Sequence, residues 1–189
     1  MTNASNLPTF MVAINRKYRG KLVPGSPEFW DFNMTFQNET ADLDTLVVTV
    51  RAGYAWTSPH RHVRHHWPTR QNPNYRTTYR VRANVVGSQL LALDVDTQDE
   101  RSTFYTLLQD PLIRSYAALL HESASSRPEW PRSRVIFLLE RMLTVDEYEL
   151  ALRALLYRFP YCDQSVKHAA AVFYGAVDCR YYQRPLQAG

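Results

Sequence analysis

The chain has 189 residues, 45% of them hydrophobic and 21% charged, with a formal net charge of +4 at pH 7. That length and balance support one globular domain with a sizeable core and exclude a disordered chain. No apolar run approaches a membrane span, no signal-peptide pattern opens the chain, and two cysteines, Cys162 and Cys179, are too few for a disulfide framework; a reduced, cytoplasmic setting is the expectation.

The first forty residues are punctuated by Pro8, Pro24, Gly25 and Pro27, and Phe10 to Ile14 reads as a strand. Leu43, Leu46, Val47 and Val50 have helical spacing, although the β-branched run Val47 to Val50 also suits a strand. The helix reading is taken, with a stop at Gly53. Tyr54 to Thr57 reads as extended and Ser58 to Asn74 as a polar loop. Glycosylation-type patterns at Asn3, Asn33 and Asn38 are expected to be chance.

Charge is unevenly spread. From Thr45 to Leu93 there is no acidic residue, while Arg51, Arg61, Arg64, Arg70, Arg76, Arg80 and Arg82 all fall there. His60, His62, His65, His66, Trp56, Trp67, Tyr75 and Tyr79 are interleaved with them. Arginine with aromatics suits a phosphate backbone and exposed bases, and Arg61, Arg64, Arg70, Arg76, Arg80 and Arg82 become candidate contacts to single-stranded DNA. A solvated loop is the ordinary meaning of such a run. The histidines lack both a nearby cysteine and the spacing of a closed zinc site.

Val81 to Asp96 is strand-like, broken at Gly87, and ends in Asp94-Val95-Asp96. A strand alternates its faces, so the two aspartates point to one side. Like charges at the end of a buried strand need neutralising, and oxygen donors suit Mg2+ or Mn2+. The same pattern also closes many strands in a polar turn. Thr97 with Glu100 has the form of a capping box, predicting a helix that ends at Asp110-Pro111. Ala117 to Leu120 and Val135 to Leu139 read as strands, with a Ser-, Pro- and Arg-rich loop between them. Thr144 with Glu147 predicts a capped helix to Phe159, stopped by Pro160. A short helix over Lys167 to Val172 is expected next. The order points to an α+β sheet with helices on one face.

Three pieces carry candidate chemistry: Asp94-Val95-Asp96, Arg132-Ser133-Arg134 at the start of a strand, and Asp163-Gln164-Ser165-Val166-Lys167 followed by Phe173-Tyr174-Gly175. Three carboxylates with fixed cations are what metal-dependent nucleotidyl transfer requires. Singly, each has a plainer reading: the arginines as a solvated strand start, Asp163 as a helix N-cap.

In this order and spacing the pieces resemble the archaeo-eukaryotic primase superfamily, in particular the primase-polymerase domains of plasmids and phages. The matching stretches run from Leu93 to Phe104 and from Pro128 to Phe137, and end with Asp163 to Lys167 and Phe173 to Gly175; Gly53-Tyr54-Ala55 and Asn84 also fit. The resemblance implies one catalytic domain over residues 1–189, with 1–52 as its N-terminal part and 53–176 as a motif-bearing palm on an RNA-recognition-like antiparallel or mixed sheet. It implies Asp94, Asp96 and Asp163 as catalytic, metal-binding carboxylates for two Mg2+ or Mn2+ ions, and Ser126, Arg132, Arg134 and Lys167 as nucleotide contacts. The implied reaction is template-directed nucleotide addition in DNA replication, with nucleoside triphosphates, a single-stranded DNA template and a replicative helicase in trans as partners. Ser126 stands where the family has a histidine and Ala171 where it often has an arginine. These departures imply weaker nucleotide binding, with His121 and His168 as nearby substitutes, and they keep two alternatives open: a palm that binds nucleic acid without catalysis, and a basic α+β binding module whose aspartates only end strands.

Overall fold

A computed structural model of the chain describes residues 8–69 and 72–185, with only the backbone described over 65–69 and 72–78. It is a mixed α+β protein. Among the described residues are two four-stranded antiparallel sheets, a separate two-stranded hairpin and five α-helices.

One sheet is built on the apolar runs read from the sequence. Its strands are β6 (Ser88–Val95), β7 (Ala117–Glu122), β8 (Ser133–Leu143) and β10 (Tyr181–Gln183), in the order β10-β7-β8-β6. Alternation sorts the side chains of β6 into two cores. Leu91, Leu93 and Val95 pack with Tyr148, Leu152 and Leu156 of helix α5 (Val145–Arg158) and with Ile113 of helix α4 (Pro111–Tyr116). Leu90 and Ala92 face the other way and join a core shared with the second sheet. Asp94 continues that second face, where the apolar side chains run out.

The second sheet comes mostly from the N-terminal third. Its strands are β1 (Phe10–Arg19), β2 (Gln37–Ala41), β3 (Tyr54–Thr57) and β9 (Val172–Phe173), in the order β2-β1-β3-β9. Helix α1 (Pro27–Met34), capped by Ser26, contributes Phe32 to a small aromatic core with Phe36. Helix α2 (Leu43–Arg51), capped by Asp42, buries Leu43, Leu46, Val47 and Val50. Trp56 of β3 stacks on Phe173 of β9, with ring centroids 4.5 Å apart. Gly175 follows directly. A Cβ there would lie 2.5 Å from the carbonyl oxygens of both Tyr54 and Val50, so only glycine admits this approach. Its own N–H donates to the Tyr54 carbonyl at 3.0 Å.

Several expectations are corrected. The arrangement is two sheets, with helices α4 and α5 on the outer face of one, where a single sheet was expected. Within Ser58 to Asn74 the loop gives way to a hairpin of β4 (His65–Thr69) and β5 (Asn72–Thr78). Thr97 and Glu100 do not form a capping box. Thr97 Oγ1 instead donates to Asp99, which caps a 3₁₀ turn over Glu100–Ser102, and Thr103 caps the short helix α3 (Phe104–Leu107). Asp110-Pro111 starts α4 rather than ending a helix: Asp110 accepts from the N–H groups of Leu112 and Ile113, and proline at the first helical position has no N–H to lose. Lys167 to Val172 is turn and strand, with no helix. The capping box of Thr144 and Glu147 forms as expected.

Candidate functional site

Register brings the aspartate and arginine motifs together. In the antiparallel pairing of β6 with β8, Asp94 stands opposite Arg134, and in that of β7 with β8, His121 stands opposite Arg134. Residues directly opposite share a face, so His121, Arg134 and Asp94 form one row across the sheet. Arg134 Nε donates to Asp94 Oδ1 at 2.5 Å and Nη2 to Oδ2 at 3.1 Å. Its Nη1 donates to the Tyr174 carbonyl at 2.8 Å, and the guanidinium lies over the Phe173 ring, 4.8 Å from the centroid. The Arg134 side chain is only 5% exposed and that of Asp94 23%. This fork thus ties the end of β6 to both β8 and β9.

Arg132 and Asp96 make a looser pair at the rim. Arg132 Nε lies 2.8 Å from Asp96 Oδ1, but its N–H is not aimed at that oxygen, so the contact is one of charge without a directed hydrogen bond. Asp163 arrives from the segment after α5. Its N–H donates to the carbonyl of Asp94 at 2.8 Å, which pins that segment beside the end of β6. Its Oδ1 accepts from the Ser165 N–H at 2.8 Å, so the side chain closes a turn and caps no helix.

Asp94, Asp96, Asp163, Arg132 and Arg134 all line one cleft of about 200 Å³, together with Lys21, Ser123, Ser125, Ser133, Val172 and Tyr174. Three carboxylates therefore face three cations. The carboxylate field reaches Cys162, whose thiol is pushed up to about 12 by burial and by the charges of Asp94 and Asp163. Carboxylate oxygens are the right donors for Mg2+ or Mn2+, so the set fits such an ion by chemistry. As placed, however, no group of three or more His, Cys, Asp or Glu side chains is gathered as a metal-ligand set among the described residues. Two of the three aspartates face arginine.

Other candidates lie elsewhere. Ser126 is not in the cleft. Its Oγ accepts from the Arg132 N–H at 3.0 Å, and it lines a neighbouring recess with Glu122, Pro131 and Arg180. Lys167 is exposed and does not line the cleft with the aspartates. His121 is fully buried, with Nδ1 on the Glu122 carbonyl and Nε2 unpartnered. Burial, then the Arg134 charge, pushes its pKa down to about 3, so it is neutral and sealed from any nucleotide. His168 lines a different recess, beside Arg80 and Ala171.

The basic stretch divides. Arg80 points inward, donating to Asn33 Oδ1 at 2.9 Å and to the Ala170 carbonyl at 2.8 Å. Arg82 is held by Glu149 and Asp146. Both therefore serve as anchors for the stretch. Arg61 and Arg64 are exposed. Arg70 and the Arg76 side chain lie outside the described residues.

Sequence reasoning missed Lys21, Ser123 and Ser125. The two serines sit in the loop already singled out, a few positions before Ser126. Lys21 follows β1, in a region for which no motif was available. No helix among the described residues is long and apolar enough to cross a membrane. Comparison with known proteins gave no matching family model, no similar curated protein and no similar solved structure.

Proposed function

We propose that the chain is a metal-dependent nucleotidyltransferase of the primase-polymerase kind, adding nucleotides to a strand on a single-stranded DNA template. The observation that supports this reading is the convergence of Asp94 and Asp96 at the end of β6, Asp163 from beyond α5, and Arg132 just before β8 on one cleft. Asp96 and Asp163, with Asp94 behind them, would hold Mg2+ or Mn2+. Such ions, when bound, supply charge neutralisation and an activated 3′-hydroxyl. The protein's own contribution is placement. Arg134 fixes Asp94, Arg132 stands at the rim to meet a triphosphate, and exposed Arg61 and Arg64 offer charge to a DNA backbone. The work belongs in the cytoplasm, where the buried free thiols of Cys162 and Cys179 stay reduced. A replicative helicase would act in trans.

A second reading has its own support. Arg134 and Arg132 already balance Asp94 and Asp96, and Ser126 lines a neighbouring recess instead of the cleft, so the fold also suits a palm that binds single-stranded DNA without chemistry. Incorporation of labelled nucleotide on a single-stranded template, with Mn2+ or Mg2+, separates the two. Template-dependent extension is expected. Tight DNA binding with no incorporation under either metal would hand the case to the binding-only reading.

A further inference from the structure

We infer that Lys21 is the cation that grips the phosphate chain of an incoming nucleoside triphosphate, an inference that rests on the transferase reading of the cleft. The cleft holds three cations, and two are engaged: Arg134 on Asp94 and the Tyr174 carbonyl, Arg132 against Asp96. Lys21 lines the same cleft with no ion-pair partner among the described residues. A polyanion entering here thus meets one ammonium that need not first give up a carboxylate. An ammonium on a flexible stem is a compact point charge with three donors, suited to a phosphate chain that shifts as it reacts.

The backbone holds this lysine in place. Gly20, directly before it, has φ +72° and ends β1 in a left-handed turn that other residues adopt only under strain. The Gly20 N–H donates to the Gly53 carbonyl at 2.9 Å, which ties the turn to the loop between α2 and β3. Lys21 thus lines the cleft from just beyond β1, while Asp94 ends β6 and Asp96 follows it in the other sheet. The triphosphate would be held by Lys21 in the same cleft that Asp96 and Asp163 line.

The test uses the full chain and measures binding of dATP and of inorganic tripolyphosphate by calorimetry, with Mn2+ present. Losing one charge-assisted contact is worth about 10- to 100-fold in affinity. Lys21→Ala is expected to weaken both probes by at least about tenfold, Lys21→Arg to restore most of the loss, and the melting temperature to stay put. In incorporation assays KM for the nucleotide should rise more than kcat falls. Equal dissociation constants for the unmodified chain and Lys21→Ala would overturn the assignment while leaving the transferase reading intact. Failure of the unmodified chain to bind either probe would overturn both. Lys21-dependent binding of both probes without incorporation would remove the transferase reading and, with it, the role of Lys21 toward an incoming nucleotide.

Discussion

The cleft and the acid-free stretch before it use the same side chain, arginine, in opposite ways. At the cleft, Arg132 and Arg134 sit against carboxylates at the end of the neighbouring strand, β6, and the motif that carries them is short and contiguous. In the acid-free stretch, Arg80 and Arg82 leave their own segment altogether. They bind Asn33 and Ala170 in one case, Glu149 and Asp146 in the other. Arg61 and Arg64, a few residues earlier, stay exposed. A run of positive charge is thus no unit of function; each arginine takes its role from the partner that the fold delivers to it.

The sharpest way to break this comparison is at Arg134. Removing one member of a buried ion pair strands the other, at a cost of about 3–5 kcal/mol. Arg134→Ala is expected to lower unfolding stability by that amount in denaturant titrations. Arg132→Ala, at the half-exposed rim, should cost under about 1 kcal/mol. Equal costs would mean that the cleft has no internal and external arginine. Asp94→Ala carries the same structural penalty as Arg134→Ala, so lost activity in that variant says little about chemistry.

Arg80 and the pair Arg61 and Arg64 extend the comparison to the basic stretch. Arg80→Ala leaves Asn33 and the Ala170 carbonyl short of a donor and should destabilise by about 2–3 kcal/mol, while the salt dependence of DNA binding stays as it was. Replacing Arg61 and Arg64 together should do the reverse. The log–log salt slope for single-stranded DNA should flatten by about 1.4, about 0.7 per phosphate contact, with stability untouched. An unchanged slope would make both of them solvated surface.

His121 gives a pH-dependent effect in the row behind the cleft. Its folded pKa, pushed down to about 3, lies below the ordinary value of about 6.5. The unfolded chain therefore takes up a proton that the folded chain refuses. Its stabilising contribution is whole above about pH 6.5 and drains as pH falls toward 3. His121→Gln should flatten the acid limb of a stability–pH curve; an unchanged limb would show that other groups set it. The smallest effect is expected at Ser126. Because it faces the neighbouring recess, Ser126→His should leave nucleotide incorporation within about threefold of the unmodified chain, a difference worth under about 1 kcal/mol in the barrier. A large gain would place that side chain back in the cleft.

The legible parts of the fold were those whose side chains state their own environment. β6, β7 and β8 are apolar runs between turn residues, and α5 announces its start with Thr144 and Glu147. The hairpin over 65–78 was not legible, because its strands are polar and carry proline where alternation should be. Asp110-Pro111 was ambiguous in itself, since the same pair can stop one helix or start another. In the site, the Asp94 and Arg134 pairing could be sensed from two motifs on strands, but the register that joins them could not. Lys21 was beyond reach for a different reason. Its place depends on a turn at Gly20 and on contact between two sheets that the local sequence does not encode.

The most direct measurement of the central claim is single-turnover nucleotide incorporation by Asp163→Asn beside the unmodified chain. Asp163 joins the cleft from a distant part of the chain and carries no ion pair among the described residues, so the change removes charge without stranding a partner. If the cleft works as one site, incorporation should fall at least about a hundredfold, in the range seen when a group that offsets developing charge is removed, with the melting temperature preserved. An Asp163→Asn protein that incorporates nucleotide at the unmodified rate would contradict the account.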